Sequence, residues 1–118
     1  MEFYFHETDN NVLVLAADGG LNAQTSHQFV EELERLIDGG ITRMIVDCSH
    51  LEHISSYGIG VLFRLHKRLI SHGADVRLAA VNSAIVKVLS VARLEKFFQI
   101  YPDVDRARLS FRERTDHK

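Results

Sequence analysis

Ile45-Val46-Asp47-Cys48-Ser49-His50-Leu51-Glu52-His53-Ile54-Ser55-Ser56-Tyr57-Gly58-Ile59-Gly60-Val61-Leu62 changes period partway along its length. Met44-Ile45-Val46 is continuously apolar, as a strand buried on both faces requires. From Ile59 onward the apolar residues Ile59, Leu62, Phe63, Leu69 and Ile70 recur at helical spacing. His66 lies between them, Arg64, Lys67 and Arg68 face away, and Gly73 supplies a stop. The segment therefore predicts a buried strand, a short loop and a helix. Ser55 or Ser56 can cap the exposed N–H groups of the first turn, an interaction worth about 1 kcal/mol and sufficient structural reason for one serine. Gly58 and Gly60 lack such a reason, because each costs roughly 1 kcal/mol relative to alanine inside a helix. Glycine there permits close approach of another backbone, and a helix N-terminus favours negative charge. The helix entrance thus predicts a contact surface.

Working outward, short apolar clusters at Phe3 to Phe5, Val12 to Ala17, Met44 to Cys48, Val76 to Val81 and Phe98 to Tyr101 predict strands. Asp9-Asn10-Asn11 suits a hairpin turn that would make the first pair antiparallel. A first helix is predicted from Phe29, Val30, Leu33, Leu36 and Ile37 on one stripe, closed by Gly39-Gly40. A third is predicted from Ala84, Ile85, Val88, Leu89 and Ala92, after Asn82 or Ser83 as cap. Asp18 and Asn22 flank Gly19-Gly20 at the entrance to the first helix, a pattern that serves turn chemistry and capping. The order implies right-handed crossovers and an α/β fold: a mixed, mostly parallel sheet of four to five strands covered by three to four helices. Asp103 to Arg112 is expected to close the domain as a short helix, with residues 113–118 as a frayed tail.

The chain has 118 residues, the size of one domain, so residues 1–118 are read as a single unit. Apolar residues make up 46% and charged residues 25%, the balance of a globular protein. No apolar run approaches the roughly 18 residues of a membrane span and the start lacks the pattern of a secretory signal, so a cytoplasmic location without membrane insertion is expected. A single cysteine, Cys48, rules out an internal disulfide. The net charge of -2 supplies no general attraction to phosphate backbones, and the basic residues near the end alternate with acids. Direct nucleic-acid binding is not expected.

Rival chemistries fare poorly. Ser56 has no G-x-S-x-G elbow around it, so hydrolase activity is not predicted. Cys48, His50 and His53 have usable metal spacing, but Cys48 belongs to a buried strand and a fourth ligand is missing. Gly58-x-Gly60 lacks the third glycine of a dinucleotide fingerprint, and no phosphate-loop lysine follows. Neither enzyme activity, metal nor cofactor is expected. Asp47 is read as a strand-end residue whose carboxylate orients the following loop by accepting backbone N–H bonds, in preference to the alternative of contacting a partner. Tyr57 suits an interface anchor, since aromatic residues are favoured at hot spots.

Val46-Asp47-Cys48-Ser49 followed by Ile54-Ser55-Ser56-Tyr57-Gly58-Ile59-Gly60-Val61-Leu62, with Gly20-Leu21-Asn22 before the first helix and Asn82 opening the third, resembles the STAS domains, specifically the anti-sigma-factor antagonists. The resemblance covers about Glu2 to Arg112. It implies partner switching: the unphosphorylated protein binds an anti-sigma factor that is also a serine kinase and so releases the sigma factor. Phosphorylation then ends the association, and a serine phosphatase resets it. By position the phosphorylated residue is Ser56, with Ser55 as second candidate. Asp18, Asn22, Ser55, Tyr57 and Gly58 are the implied partner-binding residues. The chain departs from the family pattern at Ser55, where many members carry aspartate, at Tyr57, where a small residue is usual, and at Ser83, where proline is frequent. The alternative is a STAS interaction module of a signalling or transport assembly that phosphorylation does not regulate.

Overall fold

A computed structural model describes residues 2–9 and 11–116, with side chains at 3, 4 and 11–112. In order the elements are β1 (Glu2–Asp9), β2 (Val12–Leu21), α1 (Ala23–Asp38), β3 (Arg43–Ile54), α2 (Ser56–His72), β4 (Asp75–Ala79), α3 (Ser83–Val91), a 3₁₀ turn (Leu94–Lys96), β5 (Ile100–Tyr101) and α4 (Val104–Asp116). The strands lie in the order β1-β2-β3-β4-β5. The first pair is antiparallel and the others are parallel, as the crossovers demand. Asp9 pairs with Val12, and Asn11 takes a φ of 64° that suits a tight turn. Asn10 of that expected turn lies outside the described residues.

Alternation along each strand sorts the core into two layers. Leu15, Ala17, Met44, Val46, Cys48, Val76 and Leu78 point towards α1, α2 and α3, where Phe29, Leu33, Leu62, Leu65, Leu69, Ile85 and Leu89 meet them. The opposite face is smaller: Val12, Val14, Ile45 and Ala79 are covered by Ala107 and Phe111 of α4. Arg77 is buried on that face too. Its guanidinium donates to both oxygens of Asp75, at 3.3 and 2.9 Å, and to Ser110 Oγ at 2.5 Å, and it stacks 3.9 Å over the Phe111 ring. One side chain thereby ties strand β4 to helix α4, with its charge paired as burial demands.

Several boundaries differ from the sequence reading. The expected loop after Cys48 is strand: β3 continues to Ile54 because β2 also continues, pairing Asp18 with His50, Gly19 with Leu51 and Leu21 with Ile54. Asp18 to Leu21 are therefore strand residues and not a turn. The two glycines serve a register irregularity there, with Gly19 at a φ of 120°. The buried stripe of α2 is also rotated. It consists of Gly58, Val61, Leu62, Leu65 and Leu69, whereas Phe63 is at the surface and Ile70 is 67% exposed. Strand β4 stops at Ala79, two residues before Val81, and Phe98 is a buried core residue ahead of a two-residue β5. Helix α4 runs through Asp116, past Arg112; His117 and Lys118 lie outside the described residues.

Asp75→Ala would strip the buried Arg77 of its carboxylate. An expected loss of about 3 kcal/mol in urea unfolding, at the low end for breaking a buried pair because Ser110 and Phe111 remain, measures how much that pair holds α4 in place.

Candidate functional site

Three parallel strands deliver the chain into helices at their carboxyl ends, where open α/β sheets characteristically meet their ligands. Each entry is capped by a side chain. Asn22 Oδ1 accepts the N–H groups of Gln24 and Thr25, both at 3.0 Å, and the Thr25 hydroxyl accepts the Asn22 N–H at 2.9 Å, completing a capping box on α1. Ser55 Oγ accepts the Gly58 N–H at 3.2 Å and caps α2. Asn82 Oδ1 accepts the Ile85 N–H at 2.9 Å and caps α3, while its Nδ2 donates to the Leu51 carbonyl at 3.1 Å. Asn82 thus locks α3 to the long strand β3. None of the three helices carries an acid in its own first turn, so none offsets its positive end with a carboxylate of its own.

The capping choice at α2 separates the two serines. Ser55 is half-buried and uses its hydroxyl as the cap; Ser56, the first helical residue, is exposed. Tyr57 follows, 44% exposed, with its hydroxyl 2.7 Å from His27 Nε2 of α1 and the two rings edge to face at 5.6 Å. This bond bridges the second turn of α1 and the first turn of α2. His27 gave no signal in the sequence: it sits thirty residues from Tyr57, and only the side-by-side placement of α1 and α2 brings it there.

The two glycines differ. Gly58 is buried, and a Cβ on it would stand 3.0 Å from both the Leu21 carbonyl oxygen and Ile54 Cγ1. The close backbone approach that Gly58 permits is thus internal, to the end of β2. The Leu21 oxygen has little freedom to yield, because it accepts the Ser55 N–H at 2.8 Å. At Gly60 a Cβ would meet nothing within 4 Å. Of the remaining expected site residues, Asn22 is exposed beside α1, and Asp18 is half-buried on β2, three positions short of Leu21. Asp47 accepts the Ser49 N–H at 3.0 Å, the loop-orienting role expected of it, although that loop is strand.

The Cys48 thiol is pushed up from 9.0 to about 12, first by burial and then by the neighbouring Asp47 charge, against a partly offsetting bond with the Ala79 backbone. Among the described residues no cluster of three or more His, Cys, Asp or Glu side chains is arranged to hold a metal. Likewise no described helix is long and apolar enough to cross a membrane.

Residues 6–107, which include most of the sheet, the three capped helix entries and the serine opening the second helix, match the STAS domain model. The chain belongs to the STAS domain family. Within that family it is 26% identical over 98 residues to a protein of Thermotoga neapolitana that bears the name anti-sigma factor antagonist, spanning 82% of this chain and 87% of that one. Among solved STAS folds, a Thermotoga maritima protein bearing the same name superposes with a TM-score of 0.83 at 24% identity, over 93% of this chain and 94% of that one. The Bacillus cell fate determinant SpoIIAA in its phosphorylated form superposes with a TM-score of 0.68 at 17% identity, over 93% and 99% of the two chains. These likenesses place the STAS fold of the chain across nearly its whole length.

Two outcomes test the local geometry. Gly58→Ala should lower the melting temperature despite the better helix propensity of alanine, whereas Gly60→Ala should stabilise by about 1 kcal/mol, read by thermal unfolding. Because the thiol holds its proton in the folded protein and loses it near 9 when unfolded, the Cys48 contribution to stability is full below pH 9 and lost as pH rises from 9 towards 12. In the same way, native Cys48 should react with a thiol reagent at pH 8 only at the rate of unfolding.

Proposed function

We propose that this STAS domain is an anti-sigma-factor antagonist that works by partner switching in the cytoplasm. The unphosphorylated form docks onto an anti-sigma factor with serine-kinase activity and releases the sigma factor. Phosphate on Ser56 ends the association, and a serine phosphatase restores it. The observation that carries this reading is the division of labour between the serines. Ser55 spends its hydroxyl on the helix cap, and Ser56 stands exposed on the first turn. Ser56 is therefore preferred over Ser55 as acceptor.

The physics of the end of α2 suits a reversible charge. A phosphate adds about -1.5 to -2 charges at pH 7. Within the domain that charge meets a helix N-terminus with no acid in its first turn, which favours it. In a docked complex the same charge must be desolvated against the partner, which opposes binding. Exposed Asn22 and Tyr57 form the proposed docking surface around Ser56, with Asp18 behind them on β2. Ser55 and Gly58 contribute from beneath: one caps the helix and the other lets it seat on Leu21. The His27 bond presents the Tyr57 ring as an anchor in one orientation.

The test is incubation with a candidate serine-kinase anti-sigma factor and ATP, followed by mass spectrometry. Phosphate on Ser56, and its loss in Ser56→Ala, supports the reading. Stable association without modification would instead mark a STAS module that docks without phosphorylation, and modification at Ser55 would reassign the acceptor. Ser56→Asp should weaken association by at least about tenfold in calorimetry while moving the melting temperature by less than about 2 °C, because the new charge lies at a favourable helix end.

A further inference from the structure

Helix α2 presents a continuous seam on the side away from the core. Ser56, Gly60, Phe63, Lys67 and Ile70 follow one another at spacings of four, three, four and three, the pattern of a packing seam, and all five are exposed. The buried stripe Gly58, Val61, Leu65 and Leu69 lies on the opposite side, so the outer line is not core that the fold has failed to cover. Its apolar content is substantial. Phe63 is 36% exposed and Ile70 67%, and Phe97, 41% exposed, lies edge to face with Phe63 at 5.7 Å and widens the strip. The His66 ring lies against Phe97 with centroids 4.3 Å apart and the planes tilted by 30°.

Gly60 has no account within the domain. Gly58 is required by Leu21 and Ile54, but the site of a Gly60 side chain is open space, and glycine there weakens the helix with no internal return. A bare backbone on an outward helical face lets a second helix approach closely. Charge indicates what kind of helix. No Asp or Glu occurs between Ser56 and His72, although the chain has 16 acids against 14 Lys and Arg. Of the three cations on α2, Arg68 is paired with Glu34 at 2.5 Å; among the described residues neither Arg64 nor Lys67 has an ion pair.

We infer that the outer face of α2 is the seat of an acidic amphipathic helix of the partner protein. It packs its apolar positions on Phe63, Phe97 and Ile70, passes closest at Gly60 and sets its carboxylates against Lys67 and Arg64. This rests on the docking reading above and extends it from the entrance of α2 along the whole helix. It also explains why a phosphate at Ser56 acts against binding. The charge is placed at the end of a surface whose occupant is itself negative, so the two repel where the dock begins.

The probe is a displayed library of 21-residue helical peptides with leucine at the a and d positions of each heptad and a free choice of Glu or Lys at the positions flanking them, panned on the full chain. The expected result is enrichment of Glu-rich members that shift the amide resonances of Gly60, Phe63, Lys67 and Ile70. Their affinity should fall at least about tenfold in Lys67→Glu and in Ile70→Glu. Gly60→Leu should also bind at least about tenfold more weakly while its melting temperature does not fall, which separates lost docking from lost folding. Lys-rich winners, binders that map away from α2, or no enrichment over helices with scrambled leucine positions would overturn the inference. So would concentration-dependent self-association through the same residues in sedimentation, which would assign the seam to a second copy of the chain. The experiment contains no kinase. If the peptides fail while Ser56 is phosphorylated, only the seam is refuted; if they bind while Ser56 is never modified, only the phosphorylation reading is.

Discussion

The Ser55 N–H donates to the Leu21 carbonyl at 2.8 Å, and the architecture of the site hangs on that bond. Leu21 ends β2 and Ser55 follows β3, so the bond fastens the point where one helix begins to the point where the adjacent strand gives way to the next. Gly58 then decides how close the two can come, because its missing side chain leaves the same carbonyl room against the first turn of α2. With that contact made, α1 and α2 start side by side, and a histidine and a tyrosine thirty residues apart fall within hydrogen-bond reach. The cap at Ser55, the exposure of Ser56 and the orientation of Tyr57 are consequences of one tight backbone approach.

That dependence explains which parts of the fold were legible in the sequence. Runs such as Met44-Ile45-Val46 announce themselves because both neighbours and both faces are present, so every residue is apolar. The second half of β3 does not, because β4 ends at Ala79 and only β2 continues beside it. With one paired edge, His50, Glu52 and His53 are exposed and only Leu51 is buried, which by composition resembles a loop. The buried stripe of α2 is hidden from periodicity for a related reason. Apolar residues stand on almost all sides of that helix, so periodicity alone could not say which arc faces the sheet; α1, the sheet and the Phe97 region make the selection. The serines were legible as a pair, and only the cap geometry separates them.

Arg77 illustrates a signal that sequence patterning hides. In Asp75-Val76-Arg77-Leu78-Ala79 a lone cation within an apolar run suggests a face open to water, yet Arg77 is 2% exposed. What makes its burial tolerable comes from opposite ends of the sequence distance scale: Asp75 lies two residues away, Ser110 thirty-three. The face of the sheet remote from the site is therefore held partly by a paired charge, and the face beneath the site by apolar packing of aliphatic side chains with Phe29 and Phe98. Packing of that kind is stiff, so the strand ends that carry the helix caps have little freedom to shift when something binds above them.

A domain that changes partners without changing fold needs a modification that its own structure accepts and its complex does not. The helix end meets the first condition, because its dipole welcomes negative charge and its cap is made by the neighbouring serine rather than by the one exposed. The second condition must come from whatever lies opposite, and here the composition of α2 is informative. A helix with three cations and no acid of its own, in a chain with slightly more acids than bases, keeps a positive surplus at Arg64 and Lys67 after Glu34 of α1 has paired with Arg68. In the proposed complex that surplus would attract a negative partner, and a phosphate on the first residue of the helix would present the partner with a like charge at the point of first contact. In the proposed switch the free energy would reside in the difference between two electrostatic environments of one oxygen, and the packed interior would not need to move to deliver it.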